Sequence, residues 1–365
     1  MSLPEQSTTR EFLLQHIGKL SQVGGIAAFT HTEGRGKGVS TFRVRTARGL
    51  EFWVVPDRGM DIYEASWRGS SLCWHSPTGM VHPAYYSRRG TEWLRSFAGG
   101  LLCTCGLTTA GAPSEDNGEA LGLHGSISNT PAEGVRWSEE WEGEDCRFTI
   151  SGRVRETSVF GPNLLLERTI STSLDSDALS IRDRVVNQGF NDSPLMVLYH
   201  FNFGFPLLTE KSRIYAPSQS IEPSSQEAAG ALPRSSYFEA PELNASEKVF
   251  YHRMQPDADG WATVVLVSDD ERQDFGIALR YDTSTLPEFA QWRMPRAGHY
   301  VLGLEPANCR TLGRAAERRR GTLQTLPAGS TREFHLQLQV LEGAETVAAA
   351  IRQAIGTAAA PQTEV

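Results

Sequence analysis

Along residues 39–55 apolar and polar side chains alternate, first in VSTFRVRT and then in LEFWVV. Similar β-branched or alternating runs return in CRFTISGRV (146–154), LLLERTI (164–170), ALSIRDRVV (178–186), ATVVLVS (262–268), FGIALRY (275–281) and EFHLQLQVL (333–341). A period of two sends successive side chains to opposite faces of an extended chain, so each run predicts a strand with one face buried. Gly-Pro-Asn at 161–163 and Pro-Ala-Gly at 327–329 supply turns, and the intervals are too short for the helical crossovers that parallel strands require. The pattern predicts an all-β architecture of many antiparallel strands. Helical spacing is confined to the two ends: EFLLQHIGKL near the start, and TVAAAIRQAI near the finish, where Val347, Ile351 and Ile355 fall four apart on one face. Residues 217–245, rich in Ser, Pro, Glu and Ala, read as a long connection, and the last residues, TAAAPQTEV, as a frayed tail. No break divides the β region. The expected organisation is residues 1–38 as a helical or extended segment packing on the core, 39–342 as a single β-sandwich domain, and 343–365 as a C-terminal helix and flexible tail.

The net charge of −8 argues against nucleic acid and anionic membrane as partners, because both need a basic surface and the Arg318–Arg320 run is too short to make one. The N-terminus lacks a basic start followed by an apolar core, and no stretch approaches about 18 uninterrupted apolar residues, so a cytoplasmic protein is expected. The odd count of five cysteines, two of them (Cys103 and Cys105) on one predicted strand, fits reduced thiols rather than a disulfide framework. A small neutral molecule is the expected partner, and a homodimer is compatible with the sequence.

Four places break the hydrophobic pattern. In VLYHFNFGF (197–205), Tyr199, Phe201 and Phe203 share one face while His200, Asn202 and Gly204 share the other. A buried imidazole and amide need partners, and the glycine beside them leaves room for a ligand or another backbone. In HYVLGLEPANC (299–309), Gly303 and Glu305 share a face; a carboxylate among apolar neighbours is either paired, for example with Arg293 or Arg310, or carries a raised pKa and a function. In GEALGLHGSISNTPAE (118–133), Gly122 and Gly125 bracket His124. In VVPDRGMDIYEASWRGSSLCWHSP (54–77), Arg58 and Asp61 flank Gly59, with Trp74 and His75 following. One carboxylate and two or three histidines on a hydrophobic β framework suggest general acid–base chemistry on a neutral, hydroxyl-rich substrate, with acid and base held a sugar's width apart. No nucleophile elbow, P-loop or dinucleotide fingerprint is present.

On these segments the chain resembles the aldose 1-epimerase (galactose mutarotase-like) superfamily, most closely a divergent branch carrying DRGMDI, TCGL, HG, YHFNFG and LEPAN, over roughly residues 40–341. The resemblance implies a large antiparallel β-sandwich (a galactose mutarotase-like supersandwich) with a concave sugar-binding face, and interconversion of the anomers of a free aldose without metal or other cofactor. It implies Glu305 as the base on the C1 hydroxyl, His200 as the acid on the ring oxygen, and His124 as a second histidine near that oxygen. His75, Asn202, Arg58, Asp61 and Trp292 are the expected substrate-binding residues. The superfamily's substrate-binding arginine has no counterpart in AGGLLCTCGLTTAG (98–111), leaving Arg58 or Arg95 to replace it, and a substrate other than plain galactose is expected. Two other readings compete: a metal-dependent sugar isomerase or lyase with His124, His200 and Glu305 as ligands, and a non-catalytic carbohydrate-binding protein.

Overall fold

A computed structural model describes residues 9–356. Every stretch with strand-like patterning lies in a strand: Ser40–Arg45, Leu50–Val55, Asp145–Thr157, Asn163–Ser173, Ala178–Asn187, Trp261–Val267, Phe275–Asp282 and Thr331–Glu342. Burial follows the alternation. Asp145–Thr157 buries Cys146, Phe148, Ile150, Gly152 and Val154, and the residues that alternate with them are partly or fully exposed.

The strands form an 11-stranded and an eight-stranded antiparallel sheet. The larger begins at Gly25–Thr30, which pairs with Ser40–Arg45. Its middle runs, in spatial order, through Asp61–Trp67, Leu102–Cys105, Leu198–Phe203, His299–Ala307, Glu288–Arg296 and Lys248–Met254. The two sheets stack face to face as a β-sandwich, because Phe52, Ile62, Tyr199, Phe201 and Leu304 of the larger share one buried cluster with Phe148, Leu166, Ile181, Val264 and Leu336 of the smaller. Each such side chain contributes roughly 1.5–3 kcal/mol on leaving water.

One polar knot crosses this core. The Arg168 guanidinium, fully enclosed, donates to both oxygens of Asp183 (2.9 and 2.6 Å) and to Asp61 Oδ1 (2.9 Å), and the Tyr199 hydroxyl donates to Asp183 Oδ2 at 2.7 Å. It ties Leu198–Phe203 to the second sheet.

Helices are not confined to the ends. Residues 217–245 contain a strand, Ser218–Pro223, pairing with Lys248–Met254, and a helix, Gln226–Ala231, whose start is capped by Ser225. A six-residue helix is too short for a periodicity to register. The arginine run lies on a third helix, Arg314–Arg320, where Arg314 and Arg318 both hold Asp116. The terminal helices are Arg10–His16 and Ala344–Ile355; the latter packs Val347, Ala350, Ile351 and Ala354 on Val265, Val267 and Leu341 of the smaller sheet. The tail TAAAPQTEV and the first eight residues lie outside the described part. Cys103 and Cys105 are unpaired thiols, as are Cys73, Cys146 and Cys309. Among the described residues no helix is long and apolar enough to cross a membrane.

Candidate active site

Because Tyr199, Phe201 and Phe203 enter the inter-sheet core, the two-residue period sends His200 and Asn202 to the opposite face of the larger sheet. The smaller sheet packs on the other side. Loop residues cover this face: Trp93, Phe97 and Ala110 bury with Cys103, Met196 and Leu198, and Trp74, Tyr86, Leu123 and Trp292 pack at the margin. The imidazole and the amide therefore sit on a strand under a roof of aromatic loops.

Strand register brings Glu305 to His200, the expected base to the expected acid. Phe201 pairs with Leu304 and Asn202 with Gly303, so Glu305 falls opposite His200, while Cys103 flanks His200 on its other side. Glu305 in turn pairs with Ala290, and Ala290 with Tyr251. Residues opposite one another in antiparallel strands share a face, so Cys103, His200, Glu305 and Tyr251 form one transverse row. His200 Nε2 lies 3.2 Å from Glu305 Oε1. Gly303 makes this placement feasible: a Cβ there would stand 2.5 Å from Glu305 Oε1 and 3.1 Å from Trp292 Cβ. Acid and base are thus in direct contact, not separated by a sugar's width. Gly204, read as leaving room for a ligand or another backbone, is met by backbone: a Cβ there would stand 2.8 Å from Trp74 Cα.

Burial decides the charge of both groups. Glu305 is 1% exposed and His200 5%. Desolvation, helped by the Glu247 carboxylate, pushes Glu305 up to about 8; desolvation, then the neighbouring His124, pushes His200 down to about 3. At neutral pH the pair is a carboxylic acid beside a neutral imidazole, sharing one proton. Neither Arg293, engaged by Glu239, nor Arg310, engaged by Glu222 and Glu288, reaches Glu305 to hold it ionised. His200 Nδ1 and Asn202 Oδ1 are both buried without a hydrogen-bond partner, and Glu305 Oε1 has a close neighbour in His200 but no aligned hydrogen bond. Three polar atoms without aligned partners on two adjacent strands are uncommon among buried groups.

His124 joins the pair from above. Its ring meets His200 edge-on at 5.8 Å and packs on Trp93 at 4.7 Å. The Gly111 N–H donates to His124 Nδ1 at 3.3 Å, so the neutral ring carries its proton on Nε2, and burial lowers this imidazole to about 4. The bracketing glycines serve close approach: a Cβ on Gly122 would be 2.1 Å from Arg88 O, and one on Gly125 2.4 Å from Gly106 O. His124 itself holds a left-handed φ of 59°, an uncommon conformation for a side-chain-bearing residue. Trp292 meets His200 edge-on at 5.3 Å, stands 6.5 Å from Trp74, and donates its indole N–H to Glu247 at 2.9 Å.

The other predicted residues are placed differently. Arg58 is buried with its guanidinium spent on the carbonyls of Ser128, Val81 and Ser96. Asp61 is spent on Thr104 and Arg168. The His75 imidazole lies 3.3 Å from Glu64 Oε2 and 3.4 Å from Cys73 Sγ and stacks on Tyr63; the sulfur, then the carboxylate, push it up to about 10. Arg95 is exposed on the roof. Asn202 is completely enclosed, and its Nδ2 donates to the Gly100 and His200 carbonyls, so it lies beneath the site as a neighbour of His200. The sequence reading passed over Trp93, Phe97 and Tyr251. Trp93 and Phe97 belong to the irregular stretch TEWLRSF, and clustered aromatics in a loop were the available signal. Among the described residues, His124, His200 and Glu305 do not bring three ligand atoms within 4.8 Å of one another, whereas Glu64, Cys73 and His75 do.

A groove of about 470 Å³ lies elsewhere, between Glu142, Arg147, Ser173 and Gln337 on the smaller sheet. It contains no histidine.

Residues 36–340 match one family, described as Domain of unknown function (DUF4432). Among solved structures, the chain is similar to a candidate aldose 1-epimerase from Klebsiella pneumoniae subsp. pneumoniae MGH 78578, with a TM-score of 0.86 and 27% identity over 91% of this chain and 88% of that one. It also shares its fold with a galactose mutarotase-like protein from Clostridium acetobutylicum (TM-score 0.59, 12% identity, 88% and 99% of the two chains). The galactose 1-epimerase from Lactobacillus acidophilus NCFM has the same fold (TM-score 0.54, 11% identity, 88% and 99%). No curated protein matches the chain by sequence.

Proposed function

Since the chain belongs to the DUF4432 family and has the galactose mutarotase-like fold of the aldose 1-epimerases, we propose that it interconverts the anomers of a free aldose, with Glu305 and His200 exchanging one proton with the sugar. The observation that carries this reading is their 3.2 Å contact on adjacent strands, each held in its neutral form by burial. The two oxygens on an anomeric carbon are closer together than those two side-chain atoms, so a sugar lying over the pair meets both groups at once. A polar substrate opposes the desolvation that keeps the pair neutral. The proton then passes from Glu305 to His200; the carboxylate takes the C1 hydroxyl proton as the imidazolium protonates the ring oxygen, the ring opens, the C1–C2 bond rotates, and reversed roles close it. Asn202 beside His200 favours the imidazolium, and its Oδ1 has no other hydrogen-bond donor. His124 offers an Nε2–H to a sugar oxygen, and Trp292 and Trp74 offer flat apolar faces to the ring. The chemistry needs no cofactor.

The test is NMR of freshly dissolved pure anomers from a panel of aldoses, neutral, acidic and phosphorylated. The wild type is expected to speed equilibration of at least one sugar, with Glu305→Gln and His200→Asn each lowering kcat at least about 100-fold, within the range of a lost general acid or base. Acceleration of no sugar refutes the activity. Full speed in Glu305→Gln refutes the residue assignment.

A further inference from the structure

A second constellation lies on the other side of Trp74. Glu64, on Asp61–Trp67, and Cys73 and His75, on the segment bridged to Phe203 and Gly99, bring one sulfur, one ring nitrogen and one carboxylate together. His75 Nε2 stands 3.4 Å from Cys73 Sγ and 3.3 Å from Glu64 Oε2, and Cys73 Sγ stands 3.8 Å from Glu64 Oε1. A tetrahedral zinc ion bonds sulfur at about 2.3 Å and nitrogen or oxygen at about 2.0–2.1 Å, which sets its S–N and S–O edges at about 3.6 Å and its N–O edge at about 3.4 Å. The S–N separation is within a few tenths of an ångström of its edge, and although the two carboxylate separations are to different oxygens, one ligand atom from each of the three residues lies within 4.8 Å of the other two, so turning the carboxylate closes the triangle. The same ring nitrogen faces both other atoms, so one lone pair can point at the centre of the triangle.

We propose that Glu64, Cys73 and His75 bind a divalent transition-metal ion of the zinc type, with a fourth position open to water. Thiolate and carboxylate together cancel the charge of the ion, and imidazole with thiolate selects a borderline metal over magnesium or calcium. Burial is graded to suit this. Cys73 is 3% exposed while His75 is exposed, so the sulfur is protected and the ion has an entry path past the ring. The carbonyl oxygens of Tyr63 and Ala65 lie 3.8 Å from the sulfur, and the Tyr63 ring backs His75 with centroids 5.0 Å apart, orienting the imidazole as outer groups do at metal sites. On binding, the Cys73 thiol and the protonated His75 ring each release a proton to solvent, and the two residues flanking Trp74 become fixed to the Glu64 strand. The ion therefore sets the pose of an indole at the margin of the candidate active site without touching Glu305 or His200.

The experiment loads full-length protein with zinc or cobalt(II), removes free metal by desalting, and measures metal content and the near-ultraviolet thiolate-to-cobalt band. About one equivalent is expected, with the band present. Both are expected to be lost in Cys73→Ser and in His75→Gln and kept in His200→Asn. If Cys73→Ser fails to fold, His75→Gln decides, because that side chain is exposed and its replacement leaves the core untouched. Uptake equal in wild type and His75→Gln, no uptake by the wild type, or loss in His200→Asn alone each overturns the proposal.

Discussion

Replacing Glu305 by glutamine should make the protein more stable, and increasingly so as pH rises. The unfolded chain releases this proton near the ordinary value of 4.5, whereas the folded protein holds it to about 8. Between those limits the native state carries a proton that the unfolded state has lost, so unfolding releases it and every step of one pH unit lowers stability by about 1.4 kcal/mol. From 4.5 the accumulated cost is under about 1 kcal/mol at pH 5, about 3 kcal/mol at pH 7, and levels off near about 5 kcal/mol above pH 8. Glutamine has the shape of the protonated acid and no charge to bury, so the variant escapes this cost. Urea unfolding of wild type and Glu305→Gln at pH 5, 7 and 9, fitted with a common m-value, is the assay. Other titrating groups are shared by the two proteins and cancel, so the pH dependence of the gap belongs to Glu305. A gap that stays constant from pH 5 to 9, or that narrows with rising pH, refutes the claim that burial holds this carboxyl protonated.

Three further outcomes follow from the same geometry. Gly303→Ala places a methyl 2.5 Å from Glu305 Oε1 and should lower the anomer-exchange kcat/KM by about 100-fold through misplacement of the carboxylate, while circular dichroism shows the fold retained; full activity would show that the carboxylate need not lie over residue 303. Arg168→Met leaves Asp61 and Asp183 buried without their cation and should cost about 3–5 kcal/mol in urea unfolding at pH 7; a loss below about 1 kcal/mol would mean that Asp183 and Asp61 are satisfied without it. In a profile of kcat/KM, which reports the free enzyme, activity should be level from pH 5 to 7, where Glu305 is protonated and His200 neutral, and should fall above about 8 as the pair loses its one proton. A limb near pH 4.5 with a plateau rising to pH 10 would contradict the one-proton state.

The sheet was legible because period two is a physical property of extended chain: the residues that alternate in LEFWVV and CRFTISGRV are the ones that bury. That His200, Asn202 and Glu305 would come together was legible for the complementary reason. His200, Asn202 and Glu305 interrupt apolar faces, and an interruption that costs desolvation must be compensated by a partner or a use. Arg58 and Asp61 interrupt the pattern equally, yet their polar atoms are spent on carbonyls of Ser128, Val81 and Ser96 and on Arg168. Local sequence cannot separate the two cases, because the deciding partners are up to 107 residues away. The roof was hidden for another reason: Trp93 and Phe97 lie on loop chain with no period, where position is set by what the loop folds onto. The short helices Gln226–Ala231 and Arg314–Arg320 escaped because one or two turns give too few repeats to recognise.

Beneath the imidazole, Tyr199 reaches through to Asp183 and Arg168 of the opposite sheet. His200 and Glu305 thus rest on a floor riveted from below, while Trp93, Phe97 and His124 hang from the loops above. Selection acting on the ceiling can redesign which ligand is admitted and leave the foundation untouched. A chimera that imports residues 77–98 from another branch, keeping the Leu102–Cys105 strand and His124, should change the preferred ligand in one step and leave the Glu305–His200 contact in place.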